Sequence, residues 1–145
     1  MTGARARSML CGMRATKNLE VVRSMLAAYS AGDTEAVLAT AAEDVELRPA
    51  VVGGPEGAVY RGREGIRAFF EDIDAAWEQF AIEPEEFREL GDTVVVLGRS
   101  RLVARDGMEL EASVGWVYEL RRGKIARFDS FLSRPEALEA AGLAV

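Results

Sequence analysis

The sequence predicts an α+β fold in a single domain, and two changes of pattern along the chain support that prediction. Apolar residues recur at the period of amphipathic helices through roughly the first 80 residues. The second half changes to β-branched runs separated by Gly–Asp and Asp–Gly turns, which indicate an antiparallel meander. Helices followed by a meander pack on one face of the sheet. A chain of 145 residues is long enough to bury a sizeable core in this way.

Three helices are predicted before the sheet. The first ends at Gly32, and Asp33 is a suitable N-cap for a second helix over 34–42. The third spans roughly 63–80 and has a wide apolar face. In chain order, the apolar stripes are Leu19, Val22, Leu26 and Tyr29; then Val37, Leu38 and Ala41; then Ile66, Phe69, Phe70, Ile73, Trp77 and Phe80.

The remaining elements are strands and one short helix. A strand over about 44–48 stops at Pro49, and 49–62 forms a Gly- and Pro-rich loop with a possible edge strand near Val59. Further strands are predicted at about 84–90, 93–104, 109–120 and 124–132, and a short helix ends at Gly142.

Turn positions predict which side chains share a face of the sheet, because register follows from the turns. If residue 104 pairs with 109 and 121 with 124, one face carries Arg99, Arg101, Trp116, Tyr118, Arg127 and Asp129. The opposite face then carries Val96, Gly98, Ser100, Glu111, Ser113, Gly115, Val117, Phe128, Ser130 and Leu132. The small residues in the middle of this second face predict either a closely packed helix or a ligand pocket.

Composition excludes several chemistries. The chain has no histidine and one cysteine, Cys11, so histidine triads, an internal disulfide and the common zinc ligand sets are ruled out. We expect no metal site and no cofactor, and any general base must be Asp, Glu, Tyr or Lys. No apolar run reaches the ~20 residues that span a membrane, so no membrane partner is expected and a cytoplasmic location is predicted.

Charge is distributed unevenly along the chain. Residues 1–17 carry Arg5, Arg7, Arg14 and Lys17 and no acid, and they are predicted to form a flexible basic leader, with Met1 or Met13 as the start. The domain over 18–143 holds the acidic side chains, so nucleic acid is not an expected partner.

The order of several runs resembles a known family. LEVVRSMLAAYSAGDTEAVLATAAEDVEL, VYRGREGIRAFF, ELGDTVVVLGRSR, GWVYELRRGKIARF and ALEAAGL together resemble the SnoaL-like branch of the nuclear transport factor 2-like superfamily, across residues 18–143. That superfamily includes ketosteroid isomerase, limonene epoxide hydrolase and polyketide cyclases. The resemblance implies a cone in which N-terminal helices pack on a strongly curved, mostly antiparallel sheet around a deep apolar pocket. It also implies a homodimer through the convex face of the sheet.

The catalytic positions of those relatives are replaced in this chain. The position resembling the isomerase's oxyanion-hole acid is Gly115, its base position is Arg48, and its helix tyrosine falls near Met25. The last-strand acid of the epoxide hydrolase resembles Ser130, and its middle-strand acid falls near Gly98 or Arg99. Cyclases of this type need a pocket-facing aspartate in the last strand, and Asp129 is the nearest candidate, one residue out of register. The alternative is a surface charge that pairs with an arginine on the convex face; the catalytic role requires a bulge between residues 124 and 129.

Two functions therefore stay open, and they differ in whether an acid or base points into the pocket. The first is a module that binds a small apolar, oxygenated molecule; the second is a cofactor-independent isomerase, cyclase or epoxide hydrolase using carboxylates. A dimeric protein-interaction domain is a third reading. The catalytic candidates are Asp129 and Glu111. The predicted pocket residues are Arg48, Tyr60, Phe70, Trp77, Ser113, Gly115, Phe128 and Ser130. The predicted dimer face carries Arg99, Arg101, Trp116, Tyr118 and Arg127.

Overall fold

A computed structural model describes residues 2–49 and 59–143 as four helices and one six-stranded sheet. The helices are α1 (Thr2–Ala31), α2 (Thr34–Thr40), α3 (Gly62–Ala76) and α4 (Arg134–Ala140). The strands are β1 (Ala41–Arg48), β2 (Tyr60–Arg61), β3 (Trp77–Leu90), β4 (Thr93–Ala104), β5 (Glu109–Arg121) and β6 (Lys124–Phe131). The α+β prediction is confirmed, and none of the described helices is long and apolar enough to cross a membrane. The division into a leader over 1–17 and a domain over 18–143 stays a prediction.

The boundary between α1 and α2 follows local chemistry that the sequence displays. Gly32 takes a positive φ of 70°, and its amide donates to the Tyr29 carbonyl at 3.1 Å, which closes α1. Asp33 then caps α2, because its carboxylate accepts from the Ala36 amide at 3.2 Å. Ser133 caps α4 in the same manner through the Glu136 amide.

The sheet has the strand order β2-β1-β6-β5-β4-β3, and β1 runs parallel to β6 while the other neighbours are antiparallel. Register shifts interrupt the pairing within β3, between β1 and β6, and between β5 and β6. Such irregularities bend and twist strands, which curves the sheet around the helices.

The predicted register of β5 is wrong by one residue. The β4–β5 connection is a three-residue loop in which the Ala104 amide donates to Met108 and Gly107 has a φ of 93°, so Val103, not Ala104, faces Glu109. A bulge at Ala126 then moves Asp129 opposite Val117 instead of Trp116. A slip of one residue reverses the face of every side chain in β5.

The correction affects six residues of β5. Trp116 and Tyr118, predicted on the outer dimer face, point toward the helices and are fully buried. Glu111, Ser113, Gly115 and Val117, predicted on the pocket face, point away from α1 and α3. Assignments in β4 and β6 are confirmed, since Val96 and Phe128 belong to the helix-facing core and Asp129 neighbours Val117 on the other side.

Two apolar clusters lie on the two sides of the sheet. The larger joins α1, α2 and α3 to the inner face of the sheet and includes Phe69, Trp116, Tyr118 and Phe128. The smaller lies on the outer face, where α4 covers Val95, Leu97 and Val117. Gly115 is required under α4, because a methyl group there would collide with the Ala137 side chain.

The third helix is shorter than predicted. It ends at Ala76, and β3 begins at Trp77, seven residues before the predicted strand. Trp77 and Phe80 continue the helical spacing of the preceding apolar residues, yet Trp77 is paired with Ala104 of the neighbouring strand β4. Strand pairing thus overrides a local pattern that is compatible with either structure. The predicted loop over 49–62 lies largely in residues 50–58, outside the described residues.

Candidate functional site

A small cavity lies between the inner face of the sheet and the end of α1. Its volume is about 30 Å³, enough for roughly one water molecule. Among the described residues the polar lining groups are Tyr29, Ser100, Trp116 and Ser130. The other lining residues are apolar: Phe80, Leu102, Leu110, Ala112, Val114, Phe131 and Leu132. We call this space the inner cavity.

A larger cleft opens beside it, between the end of α1, one side of α3 and the beginning of β3. Its volume is about 560 Å³, within the range of small-molecule sites. Aromatic rings of Tyr29, Phe70, Trp77 and Phe80 line it. The other lining residues are Ser30, Ala31, Gly32, Thr34, Arg67, Glu71, Ile73, Asp74 and Glu78. We call this space the outer cleft.

Tyr29 and Phe80 line both spaces and separate them. Their rings stack with centroids 5.1 Å apart and an interplanar angle of 20°. Tyr29 also meets Phe69 and Phe128 edge-on, at centroid distances of 5.6 Å to each. The Ser30 hydroxyl accepts from the Ile82 amide at 3.4 Å and ties the end of α1 to β3. This tie holds Tyr29 against Phe80.

The Tyr29 hydroxyl is chemically a donor. Burial disfavours the phenolate, so the pKa of Tyr29 lies far above its ordinary value. Tyr118 behaves alike, since burial raises its pKa and its hydroxyl donates to the Met25 sulfur at 3.3 Å. Neither tyrosine can act as a general base near neutral pH.

Asp129, a predicted catalytic candidate, lies on the outer face, away from both spaces. Its Oδ2 accepts from Arg127 Nε at 2.9 Å, and its Oδ1 is buried without a partner among the described residues. Burial raises the pKa of Asp129, and the guanidinium groups of Arg127 and Arg48 partly counteract that rise. The bulge in β6 did not turn this carboxyl inward.

Four other predicted site residues also lie outside the two spaces, on the same outer face or at its edge. Glu111 is exposed and pairs with Arg99 at 3.1 Å. Arg48 of β1 lies opposite Asp129 of β6, and its guanidinium forms an ion pair with Glu46 at 3.3 Å. Ser113 is exposed, and Gly115 is buried under α4. The one-residue shift in the register of β5 explains why Glu111, Ser113 and Gly115 lie on the outer face instead of the predicted pocket face.

The remaining predicted pocket residues are divided among three places. Phe70 and Trp77 line the outer cleft, and Ser130 lines the inner cavity. Phe128 is core, stacked on Tyr118 with centroids 4.8 Å apart. Tyr60 is buried against α3, where its hydroxyl donates to Asp72 at 2.5 Å. Burial and that bond raise the pKa of Tyr60 to about 12.

Tyr29, Phe80 and Ser100 line the two spaces but were not predicted as site residues from the sequence. Each had a signal: Tyr29 and Phe80 occupy predicted helix stripes, and Ser100 is one of the small polar residues on the predicted pocket face. Tyr29 lies in the last turn of α1, where its neighbour Ser30 bonds to β3 as that strand crosses the end of the helix. That crossing is a tertiary feature, so a helical stripe alone could not single it out.

Solved structures share this architecture. An NTF2-like protein of unknown function from Burkholderia pseudomallei is 25% identical, with a TM-score of 0.73 over 85% of this chain and 95% of that one. TerC, co-crystallized with polyporic acid, is also 25% identical, with a TM-score of 0.72 over 85% of this chain and 96% of that one. A Mycobacterium tuberculosis protein in complex with estradiol-17β-hemisuccinate is 23% identical and shares the fold, with a TM-score of 0.68 over 81% of this chain and 95% of that one. No curated protein matches the sequence.

Helices wrapped by a curved mixed sheet, with an aromatic-lined space between them, define the nuclear transport factor 2-like class of proteins. Within that class the profile of the SnoaL-like domain matches residues 22–128. The chain belongs to the SnoaL-like domain family. The resemblance inferred from the sequence is thereby confirmed.

Proposed function

We propose that this protein binds a small, mostly apolar, oxygenated molecule at the inner cavity without transforming it. One observation carries the proposal: the described lining of that cavity contains hydroxyl and indole groups in an apolar wall, but no carboxylate, amine or guanidinium. Such a wall can hold a carbonyl, ether or hydroxyl oxygen by a few hydrogen bonds while burying the rest of the molecule.

The enzyme alternative loses its proposed catalysts in this geometry. Asp129 and Glu111 both lie on the outer face of the sheet. Tyr29 can donate a hydrogen bond to a developing oxyanion, but its raised pKa prevents it from removing a proton. Proton-transfer chemistry needs a partner base, and the described lining residues of the inner cavity offer none.

The inner cavity must expand to accept a ligand. Leu110 and Leu132 lie at its margin and are 42% and 52% exposed, so their side chains can move at little cost in packing. TerC, at 25% identity, was co-crystallized with polyporic acid, which supports a small-molecule role for this arrangement of helices and sheet.

Two tryptophans make the proposal testable, because Trp116 lines the inner cavity and Trp77 lines the outer cleft. We would titrate the ¹⁵N-labelled chain with polyporic acid and with 2-naphthol and follow both indole N–H resonances. We expect saturable shifts of the Trp116 resonance. Ser100→Ala should weaken binding about three- to tenfold, the value of one hydrogen bond. Ser113→Ala, a matched loss of one hydroxyl on the outer face, should leave affinity unchanged.

Three results would contradict the proposal. The first is the absence of a saturable shift at Trp116 with either probe, and the second is an equal loss of affinity in the two serine variants. Conversion of a bound probe to a product, lost in Asp129→Asn, would restore the enzyme reading.

We also propose a homodimer through the part of the outer face that α4 leaves uncovered. Exposed ion pairs there, Arg99–Glu111 at 3.1 Å and Arg101–Glu109 at 3.0 Å, place both charge signs side by side. A face with both signs can match a second copy of itself about a two-fold axis. Trp116 and Tyr118 were predicted at this interface, but they are buried in the core and therefore take no part in it.

Sedimentation velocity tests the dimer. We expect a concentration-dependent dimer that becomes a monomer when Arg99 and Arg101 are both changed to glutamate, since like charges then meet across the axis. The control changes Arg63 and Arg122 to glutamate, an equal change of charge at exposed sites elsewhere. A parent chain that sediments as a monomer at every concentration would disprove the dimer.

A further inference from the structure

The outer cleft has a composition that the proposed function does not use. It is lined by four aromatic side chains and three carboxylates, and Arg67 is the one basic residue among its described lining residues. We propose that the outer cleft is a second binding site, for an organic cation: a substituted ammonium group on a small body. The proposal does not depend on ligand binding in the inner cavity.

The aromatic wall suits a cation. Phe70, Trp77 and Phe80 are each half-buried, so their rings belong to the core yet part of each stays open to the cleft. Tyr29 completes the floor behind them, packed against Phe70 at 5.9 Å and Phe80 at 5.1 Å between centroids. Several ring faces around one space attract an alkylated ammonium, which loses little hydration on entering.

The charges around the cleft favour the same ligand. Glu71 and Glu78 are exposed at its rim and form no ion pair with any described residue. Asp74 is partly neutralised by Arg105, which lies 3.6 Å from its carboxylate. Arg67 is itself engaged by Glu35 at 2.9 Å, so it adds little free positive charge. The cleft therefore presents negative potential to an entering ligand.

The backbone adds to this potential. Residues 29–32, which include the last turn of α1 and the glycine after it, line the cleft. A helix carries partial negative charge at its C-terminal end, because its last carbonyl groups have no partner within the helix. At the end of α1, the Gly32 amide donates to the Tyr29 carbonyl and the Asp33 amide donates to the Ala28 carbonyl. Cations are stabilised at such an end.

The arrangement favours an organic cation over a metal ion. No three acidic, cysteine or histidine side chains within the described parts of the chain lie close enough together to hold a metal. Carboxylates spread around an aromatic floor instead match a large cation whose charge is diffuse.

A pair of probes that differ only in charge tests the proposal. Choline and its neutral isostere 3,3-dimethylbutan-1-ol have the same shape, and each is titrated into the ¹⁵N-labelled full chain at constant ionic strength. We expect choline to shift the Trp77 indole resonance saturably, with Trp116 unaffected. The Trp77 signal is assigned with Trp77→Phe. The neutral probe should bind at least about fivefold more weakly, the value of a cation–π contact.

Charge variants locate the site. Changing Glu71 and Glu78 together to glutamine should weaken choline binding by about threefold or more, because two unpaired carboxylates leave the rim. Both side chains are exposed, so the fold is retained. Glu139→Gln, which removes one exposed carboxylate on α4, is the control for charge lost far from the cleft and should leave affinity unchanged. Equal binding of the two probes, no saturable shift at Trp77, or unchanged affinity in the double variant would each overturn the proposal.

Discussion

The two faces of the sheet differ in chemistry although they are built from alternate residues of the same strands. The inner face carries Val96, Trp116 and Phe128 and encloses a cavity whose described lining has no charge. The outer face carries the pairs Arg99–Glu111 and Arg127–Asp129 beside an apolar patch under α4. The acids of these strands therefore lie where they can pair or meet water, and the difference argues for binding over acid–base catalysis.

The comparison also shows how much depends on one residue of register. With β5 shifted by one, Glu111 would face the cavity and Trp116 would face solvent, and the enzyme reading would gain a carboxylate. Two features decide between these arrangements: the three-residue loop between β4 and β5, and the bulge at Ala126 in β6, which pairs with the other end of β5. The predictions below test the comparison in order of expected effect.

The largest effect is expected from truncating an inner-face side chain of β5. Trp116→Ala should lower the free energy of unfolding by about 3–5 kcal/mol, because a fully buried ring leaves a cavity behind. Urea denaturation monitored by circular dichroism measures the loss. Glu119→Ala, an exposed position on the outer face of the same strand, serves as the control and should change stability by less than about 0.5 kcal/mol. Similar losses of stability for the two variants would contradict the observed register of β5 and support the register predicted from the turns.

A smaller effect is expected where α4 meets the outer face. Gly115→Ala should destabilise the protein by about 1–3 kcal/mol, because the added methyl group collides with Ala137. Glycine to alanine in a strand otherwise stabilises by a few tenths to about 1 kcal/mol, so the sign of the change is diagnostic. Ser113→Ala, two residues away on the same face, should be nearly neutral in the same denaturation experiment. A gain of stability in Gly115→Ala would show that α4 does not pack there.

Asp129 should make stability depend on pH in one direction. Burial raises its pKa in the folded state above the ordinary 3.8, so the folded protein holds a proton that the unfolded chain has released. Stability contributed by this group therefore falls as pH rises from about 3.8 through the folded-state pKa. Asp129→Asn removes this dependence.

Urea denaturation of the parent and of Asp129→Asn at a series of pH values from about 4 to 7 measures this pH dependence of stability. The series begins near the ordinary pKa of a carboxyl group. The stability of Asp129→Asn relative to the parent should increase with pH and then level off. A relative stability that decreases with pH would mean that the Arg127 pair outweighs the burial of Asp129.

The smallest effect is expected from the exposed ion pairs of the outer face. A double-mutant cycle on Arg99 and Glu111, using alanine at each, should give a coupling free energy of about 0.2–1 kcal/mol. The pair lies at 49% and 58% side-chain exposure, where water and salt screen the attraction. The cycle is measured by urea denaturation at dilution low enough to keep the chain monomeric. A coupling above about 2 kcal/mol would contradict the exposed placement of the pair, because solvent-screened pairs contribute less.

Much of the fold and part of the site could be predicted from local patterns. The glycine that ends α1, the aspartate that caps α2 and the bounds of β4 are local signals, and each was confirmed. Phe70, Trp77 and Ser130 were predicted as site residues and do line the two spaces. Nonlocal pairing decided the start of β3 and the register of β5, and no local pattern contains that information.

The sequence by itself determined the family, the order of the elements and the absence of histidine chemistry. The order of the elements follows from periodicity and capping residues, which act over a few positions along the chain, and the absence of histidine is a matter of composition. The family was inferred from the resemblance of several sequence runs to those of known relatives. Only the tertiary structure decided that Glu111 faces outward and that Tyr29 and Phe80 divide the inner cavity from the outer cleft. The physical reason is that a strand alternates its side chains with period two, so a turn of one residue more or less reverses which face each side chain meets.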